Sequence, residues 1–289
     1  MQGTQKFCVS YLCSLCETGD KLFKLFSKLS ERLVIKMAQE VKFVVLGRTR
    51  GRRSVELIGR YKSGEDLRDV FKLGENGVGR AARRDLYIFE VCRPSDPSCL
   101  WLVTFDLKLV RVRDPTRIRN RDRVVEVGGK LYRKPSQEYS DVKEIMFENL
   151  CGSIDMSTYI CFEDVSDVVE NYLLEVTDSE FFRIETFYVK PYRDVEKKLI
   201  AESISKTISW LEARAINLAH RVETADRRGL GMASKAAKEF VERLQVSRKL
   251  LSKAIEKLKA LGIDIDILKA VESASERVRD ALKLRGLES

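Results

Sequence analysis

The spacing of hydrophobic and polar residues divides the chain into two regimes. Beyond Pro191 apolar positions recur in steps of three and four: Ile204, Ile208, Leu211, Ala215, Leu218, Val222 and Ala225 trace a heptad seam. Asp194 is placed to cap this helix, Glu196 lies in its first turn, and Arg227-Arg228-Gly229 supplies a cationic, glycine-bearing end. A second helix is expected from Met232 to Leu261, with Ala237, Leu244, Leu251 and Leu258 seven apart, Phe240, Val241, Ala254 and Ile255 beside them, and a weak point at Ser247 and Arg248. After Gly262, Asp264 is placed to cap a third, whose Ile267, Val271, Ala274, Val278 and Ala281 again step by four and three. Short connections predict an antiparallel, coiled-coil-like three-helix bundle over residues 193–289, a rod with two helices about 45 to 50 Å long and a third of about 30 Å.

Upstream the period is two. Strands are predicted at Val41–Leu46, Ser54–Tyr61, Leu86–Cys92, Leu100–Val112, Val124–Tyr132 with a Gly128-Gly129 turn, Lys143–Leu150, Thr158–Phe162 and Phe182–Val189. Only Glu65–Lys72 and Val165–Val176 read as helices, so strands and helices do not alternate as in a parallel doubly wound fold. The fold class expected for residues 37–192 is therefore α+β with a mostly antiparallel sheet or barrel. In the fourth run Phe105, Leu107 and Leu109 alternate with polar residues, but afterwards Val110 and Val112 do; that change of phase predicts a bend near Leu109.

Residues 1–36 read as an extension ahead of Met37. Leu22, Leu25, Phe26, Leu29 and Leu33 share a helical face opposite Lys21, Lys24 and Lys28, as a docking helix would. Cys8, Cys13 and Cys16 have the spacing that opens some iron–sulfur and zinc ligand runs, but bulky residues intervene and a fourth ligand is missing nearby. They are read as ordinary thiols, with no metal and no cofactor expected. Cys92 with Cys99, around a Pro-Ser-Asp-Pro turn, and Cys151 with Cys161 could each form a disulfide across antiparallel partners; the alternative is buried free thiols, the expectation for a cytosolic protein outside hyperthermophiles.

Composition adds a charge map. Residues 37–140 carry 23 cationic against 14 anionic side chains, residues 141–192 carry 3 against 12, and residues 193–289 carry 21 against 15. A basic module thus abuts an acidic strip able to pair with it. Charged residues make up 34% of the chain while Asn and Gln number five each, a balance seen in heat-adapted proteins. No apolar run reaches the length of a membrane-spanning helix and no secretion signal is read, so the expectation is a cytoplasmic protein without a membrane partner.

Arginine carries the functional expectation. Arg48, Arg50, Arg52 and Arg53 cluster between two predicted strands, Arg80, Arg83 and Arg84 follow, and Arg111, Arg113, Arg117, Arg119, Arg121 and Arg123 form a series. In an extended segment the last four would share one side, about 6.6 Å apart, a ladder for successive phosphates, with Tyr61, Tyr87 and Tyr132 available to stack. The alternative is a solvated, salt-bridged surface. His220 is the only histidine and sits within a helix, so a His-based triad has nothing to draw on. Asp85 and Glu90 faintly resemble a magnesium-nuclease pair but differ in parity along the strand, and Gly74 to Gly79 lacks the order of a nucleotide loop. The function expected is a non-enzymatic adaptor or scaffold whose basic module contacts nucleic-acid phosphates, RNA or DNA, and whose helices support assembly, including self-association. The alternatives are a protein–protein assembly factor that meets an acidic protein and, third, a metal-dependent nuclease.

Overall fold

The computed structural model describes residues 41–49, 55–62, 84–93, 96–113, 124–246 and 248–287. The extension 1–36, the predicted helix Glu65–Lys72, the Gly74–Gly79 run and all candidate arginines except Arg48, Arg84, Arg111 and Arg113 lie outside them. The fold is α+β with a large antiparallel sheet, as expected. Strands β1 (Phe43–Thr49), β2 (Val55–Tyr61), β3 (Arg84–Val91), β4 (Leu100–Leu107), β8 (Gly152–Asp155), β9 (Thr158–Cys161) and β10 (Phe182–Pro191) pair in the order β2-β1-β3-β10-β4-β9-β8. A second sheet, β5-β7-β6, joins Val110–Arg111, Lys130–Arg133 and Val124–Val127. Gly128 and Gly129, at φ +56° and +77°, make the predicted β6–β7 turn, in a region that L side chains rarely adopt.

Strand twist and two register shifts, at Val45/Leu46 and Ser153/Asp155, bend the large sheet. Its edges β2 and β8 approach until the Val55 amide donates to Asp155 Oδ2 at 3.2 Å. Alternation then separates two faces. Val44, Leu46, Phe89, Leu100, Leu102 and Ile160 line the concave side, whereas Val103, Phe105, Leu107 and Tyr159 face outward against α1 (Gln137–Glu148) and α2 (Ser166–Val176). The predicted bend is present, since β4 ends at Leu107 and the chain resumes at Val110 in the second sheet.

The strand expected at Lys143–Leu150 is the second half of helix α1 instead. Val142 and Met146, four apart and fully buried, set the helical period that a short apolar run conceals, and Glu138 starts the helix by accepting the Ser136 amide at 3.0 Å. The strand β8 that follows was not anticipated.

Helix α3 (Asp194–Thr224) lies across the concave face, burying Leu199, Ile200 and Ile204 in the same core as the sheet. Gly152 permits this contact: a Cβ there would meet the Ser203 and Ile204 backbone at 2.9 Å. Thr207 Oγ1, also buried, donates to the Cys151 carbonyl at 2.6 Å. The helix cap differs from expectation. Arg193, not Asp194, is the N-cap, and Glu196 accepts the Arg193 amide at 2.8 Å while fully buried. The same carboxylate accepts the Ile88 amide of β3 at 2.7 Å, and Arg193 Nη2 donates both to it, at 2.7 Å, and to the Leu86 carbonyl, at 2.8 Å.

Beyond Thr207 the seam Leu211, Ala215, Leu218 and Val222 is buried as predicted. Among the described residues the C-terminal region holds four helices, however, where three were expected. The span Met232–Leu261 is described as α4 (Leu230–Val246) and α5 (Arg248–Leu261). Helix α6 (Ile267–Leu284) buries all five predicted seam residues, but its cap is Asp266, which accepts the Lys269 amide at 3.0 Å, rather than Asp264. The helices return to the β layer instead of projecting over their whole length: Arg243 of α4 meets Glu148 of α1 at 2.6 Å, and Lys253 of α5 pairs with Glu163.

Both candidate cysteine pairs are disulfides. Cys151 and Cys161 follow the β8–β9 register and lie 4.2 Å apart at Cα, as facing antiparallel residues should. Cys92 and Cys99 are joined for another reason, because β10 is inserted between β3 and β4; their loop folds over the strand end and brings the Cα atoms to 6.3 Å.

Replacing Glu196 with Ala leaves the Ile88 amide and the Arg193 guanidinium without their shared acceptor, and a loss of about 3–5 kcal/mol in urea unfolding is expected. Gly152→Ala forces α3 away from β8, with an expected cost of roughly 1–3 kcal/mol in the same assay.

Candidate functional site

Of the arginines singled out in the sequence the structure describes four: Arg84 begins β3, opposite Thr49 of β1, and Arg48, Arg111 and Arg113 have different surroundings. Arg48 ends the inward-facing series of β1, opposite Val55 of β2. Its guanidinium lies 5.5 Å from the Tyr87 ring centroid, and its Nε is buried without a hydrogen-bond partner among the described residues. Such an orphan donor calls for an acceptor.

Lys206 approaches Arg48 from a distant part of the chain. The closing hydrogen bond between Val55 and Asp155 brings β8 beside Arg48's cross-strand partner. Two residues earlier on β8, the Ser153 carbonyl accepts from Lys206 Nζ of α3 at 3.3 Å. Partial burial, then repulsion by Arg48 and, more weakly, by Lys143 of α1, lowers the Lys206 pKa from the usual lysine value, with Glu202 and Asp155 opposing. Lys143 itself lies 5.2 Å from the Phe147 ring centroid. Lys206 is therefore within electrostatic reach of Arg48, in a neighbourhood that also holds the Glu202 and Asp155 carboxylates. Residues 50–54, which include Arg50, Arg52 and Arg53, connect β1 to β2. Sequence reasoning missed Lys206. It stands in no local basic run, and only closure of the sheet and docking of α3 bring it within reach of Arg48.

Arg111 and Arg113 make contacts within the fold, although Arg111 Nε is, like that of Arg48, buried without a hydrogen-bond partner among the described residues. Arg111 pairs with Asp178, which also accepts from Tyr132 Oη and, at 3.2 Å, from Lys130 Nζ. Arg113 Nη2 donates to the Glu175 carbonyl at the end of α2. Together these contacts tie the small sheet to the segment after α2, and they share no residue with the Arg48 group. The Tyr132 hydroxyl, followed by the Lys130 and Arg111 donors, holds the Asp178 carboxyl down at about 2.

The acidic strip is engaged in a similar way. Glu185 pairs with Arg60 and Arg183, Glu148 with Arg243, Glu163 with Lys253, and Glu144 lies 3.9 Å from Arg214. It thus meets both the basic module and the C-terminal helices.

Residues weighed for catalysis remain apart. His220 is exposed on α3, where its carbonyl accepts from Thr224 Oγ1 at 2.7 Å. Asp85 is opposite Arg48 and Glu90 opposite Phe43, on different faces of the sheet. Among the described residues, Cys92, Asp96 and Cys99 are the one group of three with metal-ligand chemistry, and its two sulfurs are bonded to each other. Comparison of the chain with protein-family models, curated proteins and solved structures returns no match.

The Asp178 network predicts a pH response. A carboxyl held at about 2, against an unfolded value near 4, contributes its full stabilisation above roughly pH 5 and loses it as pH falls toward 2. Acid titration followed by the amide and ring resonances of Tyr132 should show the small sheet loosening in that window. Asp178→Asn should remove the dependence.

Proposed function

We propose that the protein is a non-enzymatic polyanion-binding scaffold that engages nucleic-acid phosphates where the large sheet closes. The observation that carries this reading is that Lys206 of α3, anchored on the Ser153 carbonyl, lies within electrostatic reach of Arg48 of β1, the strand that leads into Arg50, Arg52 and Arg53. The buried, partnerless Nε of Arg48 supports it, since a phosphate oxygen would satisfy that donor. A phosphate would also offset the repulsion that lowers the Lys206 pKa. Tyr87, beneath the Arg48 guanidinium, fixes the direction of the fork. The helices serve as the support that holds Lys206 in place, their apolar seams being turned inward. Arg111 and Arg113 have a structural part in this reading, and Arg48 with its neighbours takes over as the binding group.

Fluorescence anisotropy of the full chain with labelled single-stranded RNA, single-stranded DNA and duplex, at several salt concentrations, tests the proposal. Affinity should fall steeply with salt, and the double variant Arg48→Ala, Lys206→Ala should bind about tenfold or more weakly with a log–log salt slope reduced by about 2. Arg111→Ala should leave the slope unchanged. Absence of binding to all three at low salt would overturn the proposal.

A further inference from the structure

On another part of the molecule the charge pattern is reversed. A cavity of about 630 Å³ opens between the ends of β4, β9 and β10 and the flank of α5. That volume suits a small-molecule ligand. Its walls are aromatic: Phe162 is buried at the base, and Trp101 and Tyr188, half-buried, stand with ring centroids 4.9 Å apart. Around them lie four carboxylates, from Asp96 in the disulfide-closed loop, Glu163 and Asp164 after β9, and Glu256 on α5. Among the described residues the lining cations are Lys253 and Lys257, with Lys190 paired to Asp96 at 3.5 Å, in a chain whose net charge is +9.

Both lysines show what the cavity accepts. Lys257 Nζ lies 5.0 Å from the Tyr188 ring centroid, donates to Tyr188 Oη at 3.0 Å and also donates to the Cys99 carbonyl. Lys253 Nζ is held by Glu163. Aromatic faces, a carbonyl and carboxylates thus already surround two primary ammonium groups, the combination that recognises an alkylammonium ion. Acceptor capacity remains: a carboxylate offers about four lone-pair positions. Asp164 uses one oxygen on the Ser166 amide and hydroxyl, at 2.9 and 2.6 Å, and Glu256 is exposed at the rim.

We infer that this cavity binds an aliphatic di- or polyamine, one ammonium against the Trp101–Tyr188 wall and another against the Glu163, Asp164 and Glu256 carboxylates. Lys253 competes with the ligand for Glu163, so its removal strengthens binding. Binding here is independent of the polyanion surface, which draws on none of these residues.

Titration of the full chain with 1,5-diaminopentane and spermidine tests the inference, with 1,5-pentanediol as the neutral control. The protein has two tryptophans, and Trp210 packs on Phe147 at 5.3 Å, away from the cavity lining, so Trp210→Phe leaves Trp101 as the sole reporter. Calorimetry on the unaltered chain gives the same measurement without that substitution. The expected result is a saturable change in Trp101 emission with each amine and none with the diol. Affinity should fall at least tenfold in Glu163→Gln, Glu256→Gln and rise severalfold in Lys253→Ala. Equal responses to diol and diamine, no saturation by about 10 mM amine, or carboxamide variants that bind as the parent does would each overturn it.

Discussion

Strand β10 pairs with β3 only from Val189 to Pro191, which leaves the backbone groups of Leu86 and Ile88 facing a strand that is no longer there. Buried peptide groups without partners are costly. The chain answers with the residues that immediately follow. Tyr192 donates its amide to the Ile88 carbonyl at 3.1 Å, Glu196 accepts the Ile88 amide, and Arg193 donates to the Leu86 carbonyl. A short stretch at a helix start thus completes a β ladder with side chains. It fixes the entry of α3, and with it the passage of α3 over Gly152, the burial of Ile200 and Ile204, and the position from which Lys206 reaches β8. Glu196 is tolerable as a fully buried carboxylate because two backbone amides and one guanidinium share it.

Charge in this protein is mostly spent on joining elements. The acidic residues between 141 and 192 contact cations of β2, the small sheet and helices α3, α4 and α5, so the sign reversal along the sequence describes an internal interface as much as a surface. Single exposed pairs of this kind contribute little energy. Their effect is to orient, as Asp178 does by gathering Arg111, Tyr132 and Lys130 at one point. The neighbourhood of Arg48 and Lys206 is mixed in sign, with Asp85 across the strand from Arg48 and Glu202 and Asp155 acting on Lys206, and the buried Arg48 Nε, like that of Arg111, has no acceptor among the described residues.

Much of the fold was legible because its physical signal is local. Alternation marked β3, β4, β9 and β10, two consecutive glycines marked the β6–β7 turn, and heptad spacing marked the buried faces of α3 and α6. The errors fell where a local signal is ambiguous or absent. A short apolar run such as Ile145-Met146-Phe147 fits a strand or a helix equally well, and only packing on β4 and β9 selects the helix. The C-terminal helices differ in number from the heptad reading, whose second helix spans α4 and α5. Arg111 and Arg113 read as candidate phosphate contacts because their partners, Asp178 and Glu175, lie more than sixty residues away.

The sequence by itself determined the class of most elements, the buried faces of the long helices, and which cysteines could pair, since periodicity and turn chemistry act over a few residues. Only the tertiary structure decided that β10 enters between β3 and β4, that the sheet curls until β2 meets β8, and that Lys206 comes within reach of Arg48 while Trp101, Tyr188 and α5 line an acidic cavity. Those outcomes depend on contacts between residues far apart in the chain, from 53 positions for Lys206 and Ser153 to 158 for Lys257 and Cys99. They are selected by closure of the core as a whole and by the need to satisfy buried backbone groups, neither of which leaves a mark on any short stretch of chain.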